Sequence, residues 1–183
     1  MEFSHKSVLL EECIDGLHIQ PDGIYVDGTA GGAGHSREIA RRLTTGRLFA
    51  LDKDPTAVAV ATERLASFPT AKVIHTDFAD MPAVLAEQGI VPGTVNGILL
   101  DLGVSSYQLD TAERGFSYMQ DAPLDMRMSQ EGLSAWDIVN TYDVSSLARI
   151  IREFGEEHYA LPIAKKIARA RQDHPIDTTG QLV

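Results

Sequence analysis

The stretch Ile24-Tyr-Val-Asp-Gly-Thr-Ala-Gly-Gly-Ala-Gly-His35 decides how this chain of 183 residues is expected to fold. It begins with β-favouring residues, passes through four glycines between residues 28 and 34, and enters a helical pattern at Ser36. A strand that turns through glycines into a helix is typical of a β-α-β unit that binds a ligand at the helix N-terminus. The glycines let the backbone approach that ligand closely and adopt positive φ. The alternative is a glycine-rich turn that binds nothing.

The first half of the chain repeats this alternation of strand and helix. The pattern predicts a first helix capped by Ser7, strands at 24–28, 47–52, 72–75 and 96–101, and helices at 36–43, 55–68 and 80–88. Strands that are apolar along their whole length are typical of a parallel sheet covered on both faces. The sequence therefore predicts an α/β fold with an open, Rossmann-like sheet.

The second half has a different pattern. Residues 102–132 are rich in Gly, Ser, Asp, Pro and Met without a sustained period, which predicts a long functional loop. From Ser134 onward the pattern is helical, at 135–140, 145–154 and 157–172, with a further helix capped by Thr178 or Thr179. We expect one domain at 1–108 and a second, mostly helical domain at 109–183.

Composition and charge exclude several classes of protein. No apolar run approaches the roughly 20 residues that a membrane helix needs. The N-terminus lacks the apolar core of an export signal, and a single cysteine excludes a disulfide framework. We therefore expect a cytoplasmic protein. The six histidines have no ligand spacing, so no metal site is expected.

The charge is unevenly distributed along the chain. A net charge of −10 opposes indiscriminate binding to nucleic acid, because phosphates are neutralised by Lys and Arg. Residues 145–172, however, contain six basic and three acidic side chains. The second half can therefore present a local basic surface.

Polar or acidic residues follow each predicted strand. Asp52 ends the second strand, Asp77 and Phe78 follow the third, and Asp101 ends the fourth. Ligands bind outside the carboxyl ends of the strands in such sheets, so these residues are candidates for one site. Asp52 can accept the ribose hydroxyls of an adenosine, and Phe78 can cover its adenine. The alternatives are an ordinary surface position for Asp52, a turn position for Asp77 and a core position for Phe78. The neighbouring Asp54 is expected to cap a helix.

The glycine segment also restricts the kind of cofactor. Residues 28–37 fit no G-x-G-x-x-G register, and they lack the Gly-Lys-Ser/Thr ending of a phosphate-binding P-loop. An adenosine site with such a glycine loop points to S-adenosylmethionine, which has no phosphates. Its carboxylate can bind loop N–H groups, and its sulfonium suits acidic strand ends. Two alternatives stay open: an NAD-dependent dehydrogenase, which the missing register opposes, and a non-catalytic binding protein.

Five motifs together resemble the RsmH (MraW) family. They are His5-Lys-Ser-Val-Leu-Leu-Glu-Glu12, Asp27-Gly-Thr-Ala-Gly-Gly-Ala-Gly-His-Ser36, Leu99-Leu-Asp-Leu-Gly-Val-Ser-Ser106, Glu113-Arg-Gly-Phe-Ser117 and Pro123-Leu-Asp-Met-Arg-Met128. The resemblance implies a methyltransferase that modifies the N4 amine of a cytidine in small-subunit 16S ribosomal RNA. It also implies a helical substrate-binding insertion after the fourth strand. Implied contacts to S-adenosylmethionine fall on Ala33, Gly34, His35, Asp52, Phe78, Asp101 and Gln108.

This chain departs from the family pattern in two ways. Family members are longer, so the chain is expected to correspond to the first part of such a protein. Many amino-methyltransferases also place an Asp/Asn-Pro-Pro-aromatic motif after the fourth strand, where this sequence has Asp101-Leu-Gly-Val104. A homodimer is left open as the oligomeric state.

The cytosine amine is a poor nucleophile because its lone pair is delocalised into the ring, so its attack needs an oxygen acceptor. Our hypothesis makes Asp101 that acceptor or the residue that positions it, with Ser105 or Ser106 as secondary candidates. A role for Asp101 in holding the cofactor alone is an equal alternative. For RNA, we expect phosphate contacts from four basic residues on one helix, Lys165, Lys166, Arg169 and Arg171. The alternative for that cluster is a solvated helix face. We expect Asp125 and Arg127 to hold the loop through an ion pair.

Overall fold

The computed structural model describes residues 7–183, and the chain forms two compact units, Met1–Gly103 and Val104–Val183. The expected domain boundary, after residue 108, lies within a helix of the second unit. The first unit is α/β with a parallel sheet, which confirms the predicted fold class, and the second is built from helices and turns. Their roles as cofactor-binding core and substrate-binding insertion stay predictions.

The first unit alternates strands and helices as the sequence predicts. Its elements are α1 (Leu10–Leu17), β1 (Ile24–Asp27), α2 (Gly34–Arg42), β2 (Arg47–Asp52), α3 (Pro55–Leu65), β3 (Ala71–His75), α4 (Met81–Glu87) and β4 (Gly97–Leu99). A 3₁₀ turn at Phe78–Asp80 precedes α4. The four strands are parallel in the order β3-β2-β1-β4.

Side chains alternate between the two faces of the sheet because successive residues of a strand point in opposite directions. Tyr25, Leu48 and Ala50 pack with residues of α1, α2 and α3 in one core. Val26, Phe49 and Leu51 form a second core with Met81 and Leu85 of α4. Helices therefore cover both faces, and each fully buried large apolar side chain contributes about 1.5–3 kcal/mol.

The predicted cap of the first helix is wrong. The N-cap of α1 is Leu9, which adopts a left-handed conformation and makes no side-chain capping bond. Ser7 instead lies directly against Gly34, where a Cβ on residue 34 would overlap its hydroxyl oxygen. This contact joins residues distant in the sequence, so local pattern could not reveal it.

Among its described residues the second unit contains a 3₁₀ turn at Ala112–Arg114 and five α-helices: α5 (Ser106–Asp110), α6 (Ala135–Thr141), α7 (Val144–Glu153), α8 (Ala160–Ala170) and α9 (Thr179–Leu182). Thr178 caps α9, which confirms one of the two predicted caps. Leu147 and Ala148 of α7 pack with Ala164 of α8 in a small apolar core. Helix α5 lies within the predicted loop, and its reciprocal capping box between Ser105 and Gln108 is the signal that we missed.

Two of the motifs that carry the family resemblance bind each other in this unit. The Arg114 guanidinium donates to the carbonyl oxygens of Arg127 and Met128, each at 3.0 Å. The Met126 N–H returns a hydrogen bond to the Arg114 carbonyl oxygen at 3.0 Å. The predicted ion pair is confirmed, with Arg127 Nη2 2.6 Å from Asp125 Oδ2. The segment is therefore held in a defined shape although it has little secondary structure.

We expect opposite effects on stability from alanine at two glycines of the first unit. At Gly46 a Cβ would overlap the backbone carbonyl oxygen of Gly23 and lie 2.9 Å from the Asp22 carbonyl carbon. Gly46→Ala should therefore cost about 1–3 kcal/mol or more. Gly16 is exposed within α1, and a methyl group added there would have no other atom within 4 Å. Gly16→Ala should stabilise by about 0.5–1 kcal/mol.

Urea unfolding of the two variants and the wild type measures both changes. Equal stability of the two alanine variants would contradict the close backbone approach at Gly46.

Candidate functional site

The glycine-rich segment connects the ends of three strands. The Gly28 N–H donates to the carbonyl oxygen of Leu99 at 2.9 Å, and the Ala30 N–H donates to that of Leu51 at 2.9 Å. Gly31 and Ala33 then adopt positive φ values of 49° and 60° before α2 begins. The segment thus turns sharply at the carboxyl edge of the sheet, and the first N–H groups of α2 follow directly from it.

A fully buried carboxylate anchors this segment. Asp27, at the end of β1, accepts a hydrogen bond from the Ser36 hydroxyl at 2.6 Å and another from the Thr29 N–H at 3.1 Å. Burial raises the pKa of Asp27, while these two hydrogen bonds oppose the rise. The carboxylate joins the start of the segment to the first turn of α2.

Asp52, at the end of β2, holds the middle of the segment. Its Oδ2 accepts the Gly31 N–H at 2.8 Å, and its Oδ1 accepts the Asp54 N–H at 2.9 Å. Burial raises the pKa of Asp52, and the backbone N–H groups of Asp54 and Gly31 oppose the rise. A carboxylate offers about four acceptor positions, so two backbone bonds leave capacity for a ligand.

Helix α3 contacts the glycine-rich segment through Arg64, which lies near the C-terminal end of the helix. The Arg64 guanidinium donates to the Gly32 carbonyl oxygen at 2.7 Å. The start of α3 is fixed by Asp54, which accepts the Thr56 N–H at 3.0 Å and so confirms the predicted cap. The Gly31 N–H is therefore held by Asp52 at the end of β2, and the Gly32 carbonyl oxygen is held by Arg64 of α3.

The third and fourth strands bring an aromatic and an acidic residue to the same edge. Phe78 is 37% exposed, and its Cβ lies 3.2 Å from the position that a Cβ on Gly28 would take, so the ring begins beside the glycine segment. Asp77 accepts the Ala79 N–H at 3.0 Å and caps the 3₁₀ turn. Asp101 is exposed, and its N–H donates to the Thr29 hydroxyl at 2.7 Å.

The structure gives Ala33 and His35 packing roles. The side chain of Ala33 is fully buried in the core, so only its backbone can contact a ligand. The His35 ring is 5% exposed, and its Nε2 lies 3.1 Å from the Val8 carbonyl oxygen. His5 and Lys6 of the first family motif lie outside the described residues.

Gln108 belongs to the second unit. Its side chain is buried, and its Oε1 accepts the Ser105 N–H at 3.0 Å. The first unit thus brings together Ala33, Gly34, His35, Asp52, Phe78 and Asp101, and a cofactor contact by Gln108 stays a prediction.

The four basic residues predicted for RNA do not have equivalent surroundings. Lys165, Lys166 and Arg169 are on α8, whose buried positions include Ala160 and Ala164. Arg171 is half-buried, and its guanidinium donates to the carbonyl oxygens of Val139 and Tyr142 at the end of α6. Its contacts therefore stabilise the second unit itself.

Sequence reasoning assigned no role to three residues that hold the site. They are Thr29, Ser36 and Arg64. The first two are small hydroxyl residues within the glycine motif, and that was the available signal. Arg64 is distant from the segment in the sequence, so only the tertiary fold brings it there.

The described residues show neither a metal cluster nor a membrane helix. Across residues 7–183, no three His, Cys, Asp or Glu side chains are grouped so that they could hold a metal ion. In the same range, no helix has the length and apolar character needed to cross a membrane. Cys13 is a half-buried free thiol.

The sequence comparisons identify the family. The sequence pattern of the MraW methylase family matches residues 2–183. The chain belongs to this family. It is 57% identical over 185 positions to ribosomal RNA small subunit methyltransferase H of Lachnospira eligens. It is 51% identical over 186 positions to the protein of the same name from Clostridioides difficile. Both alignments cover all of this chain but only 58% and 59% of the relatives, so the chain spans somewhat over half of their length.

Comparison with solved structures gives weaker likenesses. An rRNA methylase from Streptococcus thermophilus has a TM-score of 0.44 at 17% identity, covering 65% of this chain and 71% of that one. A precorrin-6y C5,15-methyltransferase from Geobacter metallireducens has a TM-score of 0.42 at 22% identity. The match covers 62% of this chain and 59% of that one. The family assignment rests on the sequence matches alone.

We expect Ser36→Ala to destabilise the protein in a pH-dependent way. The variant removes a hydroxyl donor to the buried Asp27 carboxyl group, which should cost about 1.5–3 kcal/mol at any pH where that group carries its charge. Because the folded-state pKa of Asp27 is raised above its unfolded value, the folded protein takes up this proton first as the pH falls. Loss of the Ser36 hydrogen bond raises the folded-state pKa of Asp27 further in the variant. The penalty should therefore be largest above the Asp27 pKa of the variant and shrink as the pH falls toward the Asp27 pKa of the wild type.

Urea unfolding of wild type and variant across the acid range measures this difference. Thr62→Val is the control, since it removes an exposed hydroxyl that donates to a carbonyl oxygen, that of Val58, which does not titrate. A Ser36→Ala penalty that is independent of pH would contradict an ionised Asp27 at the centre of the site.

Proposed function

We propose that this protein transfers a methyl group from S-adenosylmethionine to the N4 amine of a cytidine in 16S ribosomal RNA of the small subunit. The observation that carries the proposal is the glycine-rich segment held between Asp27 and Asp52, with Phe78 and Asp101 at the same edge of the sheet. Membership of the MraW methylase family supports it, as do the names of the relatives. A ribosomal substrate would place the protein in the cytoplasm.

The residues of the first unit fit the chemistry of S-adenosylmethionine. Asp52 keeps acceptor capacity for ribose hydroxyls, because each of its oxygens takes one backbone N–H. The partly exposed Phe78 ring offers an apolar face for adenine. The first N–H groups of α2 suit a carboxylate, and the acidic strand ends suit a positive sulfonium. No phosphate-binding pattern is present in the glycine segment, in keeping with a cofactor that has none.

Asp101 is the proposed acceptor for the cytosine amine. S-adenosylmethionine supplies an electrophilic methyl group when it is bound. The amine is a weak nucleophile because its lone pair is delocalised into the ring, so an oxygen that accepts one of its hydrogens favours attack. Asp101 is exposed two residues beyond the end of β4 and presents a carboxylate for this purpose. The competing assignment is that Asp101 only holds the cofactor and takes no part in catalysis. Ser105 and Ser106 are secondary candidates for the acceptor.

The family assignment favours a methylase over an NAD-dependent dehydrogenase. The missing G-x-G-x-x-G register points the same way. Activity, substrate and partners of the whole protein are proposals, since the chain spans somewhat over half of its relatives.

We propose that α8 contacts RNA phosphates through Lys165, Lys166 and Arg169. Within residues 7–183 none of these three side chains takes part in an ion pair. Unpaired cations at the surface are available to replace the counterions of a phosphate backbone. Arg171 is left out of this surface because it bonds to two carbonyl groups of its own unit.

We expect this chain to bind S-adenosylmethionine in preference to NAD. We also expect the substitution Asp101→Asn to lower the rate of methyl transfer. Asparagine keeps the size of the side chain but removes the charge that draws a hydrogen from the amine, so transfer should fall by about 100-fold or more. Calorimetry gives the affinities, and tritium transfer to purified small ribosomal subunits gives the rate.

Asp22→Asn is the control, because Asp22 is an exposed carboxylate elsewhere in the first unit. Wild-type transfer by Asp101→Asn with unchanged cofactor affinity would remove Asp101 from catalysis. Weakened affinity with an unchanged rate at saturation would assign it to cofactor binding. Cofactor binding by the wild type without transfer would favour the non-catalytic alternative.

We expect reversal of three charges, Lys165→Glu, Lys166→Glu and Arg169→Glu, to weaken binding to 16S ribosomal RNA. If all three side chains contact phosphates, the negative slope of log affinity against log salt concentration should become less steep by about 2–3. Filter binding across a salt series measures both affinity and slope.

The matched control reverses Arg41, Arg42 and Lys72 of the first unit, which changes the net charge by the same amount. Equal losses in the two triple variants would indicate a net-charge effect and would contradict a specific surface on α8.

A further inference from the structure

The Thr29 hydroxyl lies where the hydrogen-bond ladder between β1 and β4 ends. The last registered pair of these strands is Asp27 with Leu99, and the Gly28 N–H then donates to the Leu99 carbonyl oxygen at 2.9 Å. Two residues further along, the Asp101 N–H donates to the Thr29 hydroxyl oxygen at 2.7 Å. A side chain thus replaces the neighbouring strand as the acceptor for the backbone of Asp101.

Thr29 is itself fixed by the buried part of the site. Its own N–H donates to Asp27 Oδ1 at 3.1 Å, and the other oxygen of this carboxylate accepts the Ser36 hydroxyl at 2.6 Å. Asp27 and Ser36 are completely buried. Threonine is also restricted at χ1 by its branched Cβ, so its hydroxyl is held in a defined direction at little entropic cost. A continuous series of hydrogen bonds therefore runs from the start of α2 to Asp101.

We propose that Thr29 is a positioning residue that fixes Asp101 relative to the glycine-rich segment. This inference rests on the proposed function, and it takes Asp101 as one of the S-adenosylmethionine contacts that the family resemblance implies, beside its proposed role toward the cytosine amine. The tether acts where the pairing of β1 with β4 has ended, because the last registered pair is Asp27 with Leu99 and the Asp101 N–H bonds to a side chain instead. Without the hydroxyl, residues 100–102 lose the one described hydrogen bond between Asp101 and the segment.

The position of the Asp101 backbone matters because a bound ligand has to contact the glycine-rich segment and Asp101 at the same time. A tether that fixes the distance beforehand removes the cost of ordering the strand end when the ligand binds. Loss of one hydrogen bond corresponds to an affinity change of about 3–10-fold. Thr29 touches neither reacting atom in this account and acts only through Asp101.

The test compares Thr29→Val with Thr29→Ser. Valine keeps the shape of the side chain and removes the acceptor, whereas serine keeps the hydroxyl. Thr29→Ala is a second loss variant that adds no bulk, and Thr62→Val is the control, since Thr62 is exposed and its hydroxyl bonds to the Val58 carbonyl oxygen of its own helix. Amide hydrogen exchange at Asp101, followed by NMR in the ligand-free chain, reports the tether directly.

We expect exchange at Asp101 to accelerate about 5-fold or more in the valine and alanine variants, and to stay near the wild-type rate in the serine variant and the control. The affinity for S-adenosylmethionine, measured by calorimetry, should fall about 3–10-fold in the two loss variants and be restored by serine. Unchanged exchange at Asp101 in both loss variants would overturn the tether. Faster exchange with unchanged affinity would overturn its link to the ligand.

The two kinds of failure are separable. If the wild-type chain does not bind S-adenosylmethionine, the proposed function fails, and exchange in the ligand-free chain still decides whether Thr29 positions Asp101. If the wild type binds the cofactor and the variants behave like it, the role of Thr29 fails alone.

Discussion

The buried carboxylate of Asp27 is the constraint on which the rest of the site depends. A charge removed from water is costly unless hydrogen bonds replace its hydration. Here the Thr29 N–H and the Ser36 hydroxyl supply those bonds, and they come from opposite ends of the glycine-rich segment. The segment must therefore turn back on itself, which the positive φ of Gly31 and Ala33 makes feasible. Ala33 accepts this conformation without being glycine, with its methyl group buried in the core.

The same turn distributes polar groups along the carboxyl edge of the sheet. Asp52 accepts the Gly31 N–H, Arg64 donates to the Gly32 carbonyl oxygen, and the Thr29 hydroxyl accepts the Asp101 N–H just beyond β4. Each contact crosses from one strand or helix to another, so the segment joins elements that the backbone ladder leaves separate. Both acidic groups at β1 and β2 have a raised pKa because they are buried. The edge thus combines acceptors that are fixed in position with limited access to water.

Much of the fold could be predicted because its signals are local. The strand and helix alternation of the first unit follows from apolar runs and glycines, and Asp54 and Thr178 cap helices as their positions suggest. Prediction failed where the deciding contact was distant. Ser7 packs against Gly34 instead of capping α1. The bonds from Arg171 to the Val139 and Tyr142 carbonyl oxygens are likewise distant in the sequence and were not predicted, while its phosphate contact stays a prediction. Helix α5 is different, since its capping box is a local signal in the sequence, although the composition of residues 102–132 predicts a loop there.

The sequence by itself determined the fold class, the glycine turn and the family, because these depend on residue order and local periodicity. It also named Asp52, Phe78 and Asp101 as residues at strand ends. Only the tertiary structure decided what holds them. Thr29, Ser36 and Arg64 acquire their roles from hydrogen bonds between separate elements, and the direction of a side chain across such a gap is fixed by packing.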